Sequence, residues 1–332
     1  MISASSGLRP GALHDANGRN APGGGRLRKL LYIASVGYSG STLLDMLLGR
    51  SDEITSLGEI HSLAKATRRD SRCTCGEPIS SCPFWSGVER ALAVALRQPD
   101  LRLSEFNLAP DDREQSLHRL VPNLADLLLV LGSRGVWERF APLSRHARGY
   151  AESAENALAL YRVVAGLKGT PIVVDSSKDP LPMKALYLAD PQVVRIIYLV
   201  RDGRAVSRSL VRRQDLRFEE AVRRWVRFNW NLHLVMKTIP RSRVLLVRYE
   251  DLCRDTAAEL KRLADFAGTS LATTATPLRK DRFHNIGGNP MRFRRSETEI
   301  VLDERWREEL SREQRGAFES IGGRLNRRLG YT

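Results

Sequence analysis

Residues 30 to 50, LLYIASVGYSGSTLLDMLLGR, run from an apolar strand through a turn rich in glycine and hydroxyls into an apolar helix. Leu30, Leu31, Tyr32, Ile33, Ala34 and Val36 form an almost unbroken apolar run, the pattern of a parallel strand covered on both faces. A central strand of an α/β sheet is implied. Gly37 and Gly40 let the backbone turn tightly, and Ser41, Thr42, Leu43 and Leu44 begin a helix whose first N–H groups have no partner within it. Such a turn is a cradle for an anion. An ATP-hydrolysing loop would place a lysine before the hydroxyl residue to hold the β and γ phosphates, whereas here Gly40 runs directly into Ser41 and Thr42. The turn offers N–H groups and hydroxyls but no cation of its own, which points away from ATP and toward another phosphorylated donor.

A second strand-turn-helix pattern lies at residues 196 to 210, IIYLVRDGRAVSRSL. Ile196 to Val200 read as another buried strand, with Arg201 at its carboxyl end. Ligands of open α/β sheets bind at that edge, and a guanidinium meets a phosphate there with a planar, two-pronged donor. Ser209 follows eight residues later, roughly two helical turns along, so the pair is placed to grip one phosphate. Taken alone, the motif also admits a structural pairing of Arg201 with Asp202 or another carboxylate.

With both motifs present in this order, the chain resembles the sulfotransferases that use 3′-phosphoadenosine 5′-phosphosulfate (PAPS). The resemblance implies a P-loop-NTPase-like, three-layer α/β fold with a central, mostly parallel sheet and a helical insertion. It also implies PAPS as donor, with 3′-phosphoadenosine 5′-phosphate (PAP) as product. On the family pattern, Gly37, Tyr38, Ser39, Gly40, Ser41 and Thr42 cradle the 5′-phosphosulfate, and Arg201 and Ser209 hold the 3′-phosphate. The first loop is similar to the R-S-G-(S/T)-T-L version of carbohydrate and tyrosylprotein sulfotransferases. Tyr38 stands where those enzymes carry Lys or Arg.

Ile172 to Pro180, IVVDSSKDP, reads as a third short strand ending in a polar turn before a proline-initiated helix. In related enzymes a Lys-Asp-Pro segment supplies the lysine that stabilises charge on the leaving phosphate and sulfuryl oxygens. Lys178 fits that role and is the replacement for the cation missing at Tyr38. Ser56-Leu57-Gly58-Glu59-Ile60-His61 resembles the tyrosylprotein pattern in which a glutamate accepts the proton of the attacking hydroxyl. Glu59 is the first candidate base and His61 the second, its ordinary pKa already suiting proton abstraction. Asp175 reads as a turn-forming or lysine-orienting group.

The segment from Arg279 to Arg295, RKDRFHNIGGNPMRFRR, is rich in glycine and arginine and reads as irregular structure. Bacterial members of the family carry a similar His-x-Ile-x-Gly-Asn-x-x-Arg stretch, and their relatives close a basic loop over the 3′-phosphate. Asn289 and Arg292 are its candidate ligands. Tyr249-Glu250-Asp251-Leu252 matches a strand-ending family pattern and reads mainly as scaffold.

The reaction implied is in-line transfer of a sulfuryl group to a hydroxyl of a small-molecule, glycolipid or carbohydrate acceptor. No metal is expected. A P-loop kinase-like phosphotransferase and a non-catalytic nucleotide-binding module are the alternatives. With 53 Lys and Arg against 38 Asp and Glu, the chain carries a formal charge of +15, which favours anionic ligands. Its arginines are spread along the chain, without the compact basic helix or aromatic platform of a nucleic-acid binder.

Residues 1–29 read as a flexible tail with no apolar signal region, and residues 30–332 as a single domain. Without a run of 18 apolar residues the chain is expected not to span a membrane and to be cytoplasmic. A mostly helical insertion at about 85–168, expected between the first two strands, is the natural acceptor side. The closing helix, roughly 302 to 328, is strongly charged and expected on the outside. Cys73, Cys75 and Cys82 have a C-x-C-x₆-C spacing that offers three thiolates, with His61 or Cys253 as the remaining ligand for a closed zinc site. A Cys75–Cys82 disulfide and a plain Cys-Gly-Pro turn, with Phe84 and Trp85 packed into the core, are the other readings, and the plain turn is preferred.

Overall fold

The computed structural model describes residues 26–108, 124–271, 283–293 and 300–332. The tail up to residue 25, positions 109–123 of the expected insertion, and the arginine-rich positions 279–282, 294 and 295 lie outside the described residues. Five strands build one sheet: β1 (Lys29–Ala34), β2 (Ile54–Ser56), β3 (Ile172–Lys178), β4 (Val194–Val200) and β5 (Val244–Arg248). Their order is β2-β3-β1-β4-β5, and every pairing is parallel.

The centre of the sheet explains the apolar run that marks β1. Leu30, Tyr32 and Ala34 join the core on one face, while Leu31 and Ile33 join the core on the other. This is the two-residue alternation of a strand covered twice. Each buried leucine or isoleucine here stabilises the fold by about 1.5–3 kcal/mol relative to exposure. Helices follow the carboxyl ends of the strands: Ser41–Leu48 after β1, Pro180–Ala189 after β3, Gly203–Gln214 after β4 and Tyr249–Arg254 after β5. Asp179 and Asp202 begin two of them, accepting hydrogen bonds from Leu181 N (3.1 Å) and Arg204 N (2.9 Å).

β2 was not expected as a strand. It holds only Ile-Thr-Ser, too short to show alternation, and it forms because Ile54, Thr55 and Ser56 align with Ile172, Val173 and Val174 of β3. The helices Pro83–Ala95, Leu124–Leu131, Arg134–Phe140 and Arg145–Lys168 consequently stand between β2 and β3, and not between the first two strands. The expected closing helix is Trp306–Glu309 followed by Arg312–Arg328. It is less external than its charge implies, since Phe318, Gly322, Gly323, Leu325 and Asn326 are buried. Phe318 meets Trp225 of the helix Phe218–Lys237 with ring centroids 5.7 Å apart. No helix among the described residues is long and apolar enough to cross a membrane.

Topology fixes the position of the site. From β1 the chain goes to β2 on one side, and from β4 it goes to β5 on the other, although β1 and β4 are neighbours. Their loops therefore part and leave a crevice at the carboxyl edge, the switch point where open α/β sheets take their ligands.

Candidate active site

The loop after β1 is built as an anion cradle. Gly40 has φ +91°, which an L side chain rarely adopts, and a Cβ there would lie 2.4 Å from the Tyr249 ring. No side chain caps the helix Ser41–Leu48, whose first backbone bond runs from Leu44 N to Gly40 O at 3.1 Å. The N–H groups of Ser41, Thr42 and Leu43 are the unpaired donors of that helix start. Tyr38 is left-handed at φ +68°, unusual for a bulky residue and costly by roughly 1–3 kcal/mol. The strain turns its carbonyl toward the crevice, where it accepts from Arg201 Nη1 at 2.9 Å. The Tyr38 phenol accepts from Gln214 Nε2 at 3.4 Å.

Arg201 is held in the crevice on three sides. Its Nη2 donates to the Asp303 carbonyl at 2.9 Å and lies 3.3 Å from Asp303 Oδ2, and the guanidinium stacks on the Tyr249 ring at 4.3 Å. The hydrogen bond from Arg305, with Arg201's charge adding to it, holds the Asp303 carboxyl well below the usual carboxylate range. Arg201 Nε is buried and has no partner among the described residues. Asp202, the neighbour weighed as Arg201's partner, pairs instead with Arg204. Ser209 sits two turns along the helix that Asp202 caps, with its hydroxyl donating to Ala205 O at 2.9 Å.

Lys178 and Glu59, 119 residues apart, form an ion pair at the same edge. Lys178 ends β3 in a left-handed conformation, φ +76°, which projects it out of the strand line. Glu59 follows β2 and is positioned by backbone pairing: its N–H donates to Ile286 O at 2.7 Å, and Ile286 N donates to Leu57 O at 2.9 Å. The segment 283–293 is thereby laid across the donor loop, with Asn289 N donating to Thr42 Oγ1 at 3.0 Å. Gly288, at φ +83°, makes this crossing possible, because a Cβ there would lie 3.0 Å from Thr42 Oγ1 and 3.9 Å from Glu59 Oε1. Glu59 and Thr42 thus meet beneath one glycine, and Lys178 joins them through its ion pair with Glu59.

His61 is placed differently. Its N–H donates to Ser177 Oγ at 3.1 Å, and its ring Nδ1 is buried without a partner among the described residues. The imidazole lines a small cavity between the sheet edge and the helix Arg145–Lys168, together with Tyr150, Ser153, Tyr161 and Asp175. Asp175 accepts from Tyr161 Oη at 2.6 Å and from Ser177 N at 2.8 Å, the turn-forming role expected of it.

Beneath the cradle lies a polar cluster that the sequence did not signal. Asp45 Oδ2 accepts from Ser56 Oγ at 2.7 Å and from Asn285 Nδ2. Burial pushes the Asp45 carboxyl from 3.8 up to about 7, although those hydrogen bonds pull the other way. Asp303 and Asn285 carry no local signal, because their partners come from remote parts of the chain.

Arg292 departs from its expected place. Its guanidinium is buried and donates to Thr74 Oγ1 (3.0 Å), Asn285 O (2.6 Å) and Arg72 O (3.2 Å). These bonds tie the segment 283–293 to the cysteine loop. The cysteine cluster also gains a member, since His284 Nδ1 lies 3.6 Å from Cys73 Sγ and 3.4 Å from Cys82 Sγ. His284, rather than His61 or Cys253, completes the set. The Cys75 and Cys82 sulfurs are 3.7 Å apart, against about 2.05 Å in a disulfide.

The family model described as the sulfotransferase family matches residues 31–273, nearly three quarters of the chain. The chain belongs to the sulfotransferase family. Among solved structures, the sulfotransferase domain of the Synechococcus PCC 7002 olefin synthase is similar at 20% identity and TM-score 0.52, covering 91% of this chain and 98% of its own. The sulfotransferase domain of the curacin biosynthetic pathway matches at 18% identity and TM-score 0.49, covering 92% of this chain and 99% of its own. A retinol dehydratase solved with androsterone and the inactive cofactor PAP matches at 15% identity and TM-score 0.35, over 90% of this chain and 81% of that one. No curated protein matches. The five-stranded parallel sheet with flanking helices is a P-loop-like α/β fold, shared with the Synechococcus olefin synthase sulfotransferase domain.

Proposed function

We propose that this family member moves a sulfuryl group from PAPS to a hydroxyl of a small-molecule, glycolipid or carbohydrate acceptor at the β1/β4 crevice, leaving PAP. The observation that carries this reading is the convergence of an uncapped helix start, a buried arginine bonded to its loop, and a lysine-glutamate pair on one sheet edge. The residues fit a donor with two separated anionic groups. The N–H groups and hydroxyls from Ser39 to Thr42, with Gly37 and Gly40 shaping the turn, face the phosphosulfate end. Arg201, with its open Nε, and Ser209 face the 3′-phosphate. The donor supplies an activated sulfuryl group when bound.

With donor bound, Lys178 would exchange its pairing with Glu59 for one with the donor's anionic oxygens, where its ammonium would stabilise the charge that develops on the leaving phosphate. Released from that ion pair, Glu59 accepts the proton of the acceptor hydroxyl, the role of base. His61 stands at the acceptor cavity as the second candidate. Tyr38 contributes its carbonyl, which aims Arg201, in place of a cation. Asn289 contributes its backbone at Thr42, and Arg292 acts through the segment it anchors. The cavity beside the helix Arg145–Lys168 is the proposed acceptor side, within a single domain over residues 30–332 and a cytoplasmic setting. Incubation with 35S-labelled PAPS and a panel of phenol, sugar and glycolipid acceptors tests the reading. Transfer to any hydroxyl supports it, and failure of the protein to bind or consume PAPS overturns it.

A further inference from the structure

Cys73, Cys75, Cys82 and His284 bring four ligand atoms within 4.8 Å of one another, drawn from a short loop and from a segment more than 200 residues away. The separations are informative. A tetrahedral zinc with Zn–S of about 2.3 Å and Zn–N of about 2.0–2.1 Å has sulfur–sulfur edges of about 3.8 Å and sulfur–nitrogen edges of about 3.5 Å. The protein has Cys75 Sγ to Cys82 Sγ at 3.7 Å, and His284 Nδ1 to the Cys82 and Cys73 sulfurs at 3.4 and 3.6 Å. Free thiols can approach this closely through weak sulfur hydrogen bonds, but three sulfurs and one imidazole nitrogen converging on one point match the edges of a closed Cys3His shell.

Burial pushes the Cys73 and Cys82 thiols up, and the N–H groups of Cys75 toward Cys73 and of Phe84 and Trp85 toward Cys82, at the start of the helix Pro83–Ala95, offset this only in part. Gly76, at φ +106°, closes the tight turn in which its N–H donates to Cys73 O at 2.9 Å. His284 is oriented by stacking on Phe84 (centroids 4.5 Å, planes 17° apart), and its carbonyl accepts from Trp85 Nε1 at 3.1 Å. Three thiolates and a divalent ion leave one negative charge, and the buried Arg292 guanidinium, bonded to Arg72 O and Thr74 Oγ1 on either side of Cys73, is placed to balance it.

We propose that these four residues form a structural zinc site that fastens the segment 283–293 to the Cys73–Cys82 loop. Soft thiolates with one imidazole in a tetrahedral arrangement favour zinc over hard cations, and a site with all four positions filled is structural rather than catalytic. Its consequence reaches the active edge through the chain. Immediately after His284, Asn285 bonds Ser56 and Asp45, Ile286 pairs with Leu57 and Glu59, and Asn289 bonds Thr42. The metal would therefore fix the position of Glu59's partner strand, a role independent of which donor binds.

Metal analysis of the full chain, purified without chelator or histidine tag, tests this directly. About one tightly held zinc per chain is expected. Cobalt exchanged into the wild-type protein should give the visible bands of a tetrahedral ion with thiolate charge transfer, and His284→Cys should keep the metal while altering those bands. Zinc far below one per chain, or cobalt held in octahedral geometry, would overturn the site. Amide hydrogen exchange then tests the fastening: on chelation, protection should fall at Ile286 and Glu59 but persist in β1 and β4. Unchanged protection at Ile286 and Glu59 would overturn that part.

Discussion

Asp45→Asn should remove a specific pH dependence of stability. The Asp45 carboxyl is buried under the donor loop, and burial raises it from 3.8 to about 7. The unfolded chain releases this proton near the lower value and the folded chain holds it to the higher one. Folding therefore takes up a proton between them. The stabilisation tied to this group is fully present below about pH 4 and is lost as pH rises toward about 7. A displacement of that size is worth roughly 4 kcal/mol. Asparagine is neutral throughout, and its oxygen still accepts from Ser56 and Asn285, so the cluster keeps its bonds. Urea unfolding of both proteins between about pH 4 and pH 7 gives the comparison, read as the difference in unfolding free energy at each pH. That difference should move by up to roughly 4 kcal/mol in favour of the variant as pH rises. Asp303, whose carboxyl is depressed, titrates below this window and is common to both proteins. A constant difference across the range would refute the reasoning.

Other substitutions probe the edge of the sheet. Lys178→Ala should keep the fold and PAP binding but slow sulfuryl transfer by roughly 10- to 150-fold, because a charge-assisted bond of about 1.5–3 kcal/mol is then missing as charge develops; turnover at the wild-type rate would remove Lys178 from the reaction. Glu59→Gln should likewise fold and bind donor while losing transfer. If His61→Gln abolishes transfer and Glu59→Gln does not, histidine is the base. Gly288→Ala should lower the thermal midpoint measured by calorimetry and slow transfer, since its Cβ would press on Thr42 Oγ1 in a left-handed backbone; an unchanged midpoint would show that the segment yields there freely.

The sequence was most legible where chemistry and periodicity coincide locally. β1 and β4 announce themselves as apolar runs feeding glycine-containing turns, and the residues at their ends, Ser41, Thr42 and Arg201, fall on one crevice. Lys178 and Glu59 were readable separately as strand-end residues. Their pairing across 119 residues needed the β2-β3 alignment. β2 itself was hidden by its three-residue length. The segment 283–293 was the least legible part of the site. A glycine- and arginine-rich stretch suggested a basic cover, yet Arg292 turns inward to carbonyls and His284 turns to the cysteines. Composition reports that an arginine is present but not which acceptors the fold will bring within its reach. The same holds for the cysteines, whose fourth companion lies too far along the chain for any spacing rule to find.

The central claim is that the β1/β4 crevice is a site for a nucleotide with phosphates at both the 3′ and 5′ positions, organised by Arg201. Calorimetric titration of the full chain with PAP and with ATP, repeated on Arg201→Ala, tests it most directly. PAP should bind more tightly than ATP without magnesium, and loss of the Arg201 guanidinium should weaken PAP binding by about 10- to 100-fold. Binding of ATP with magnesium in preference to PAP, or PAP affinity indifferent to Arg201, would contradict the account.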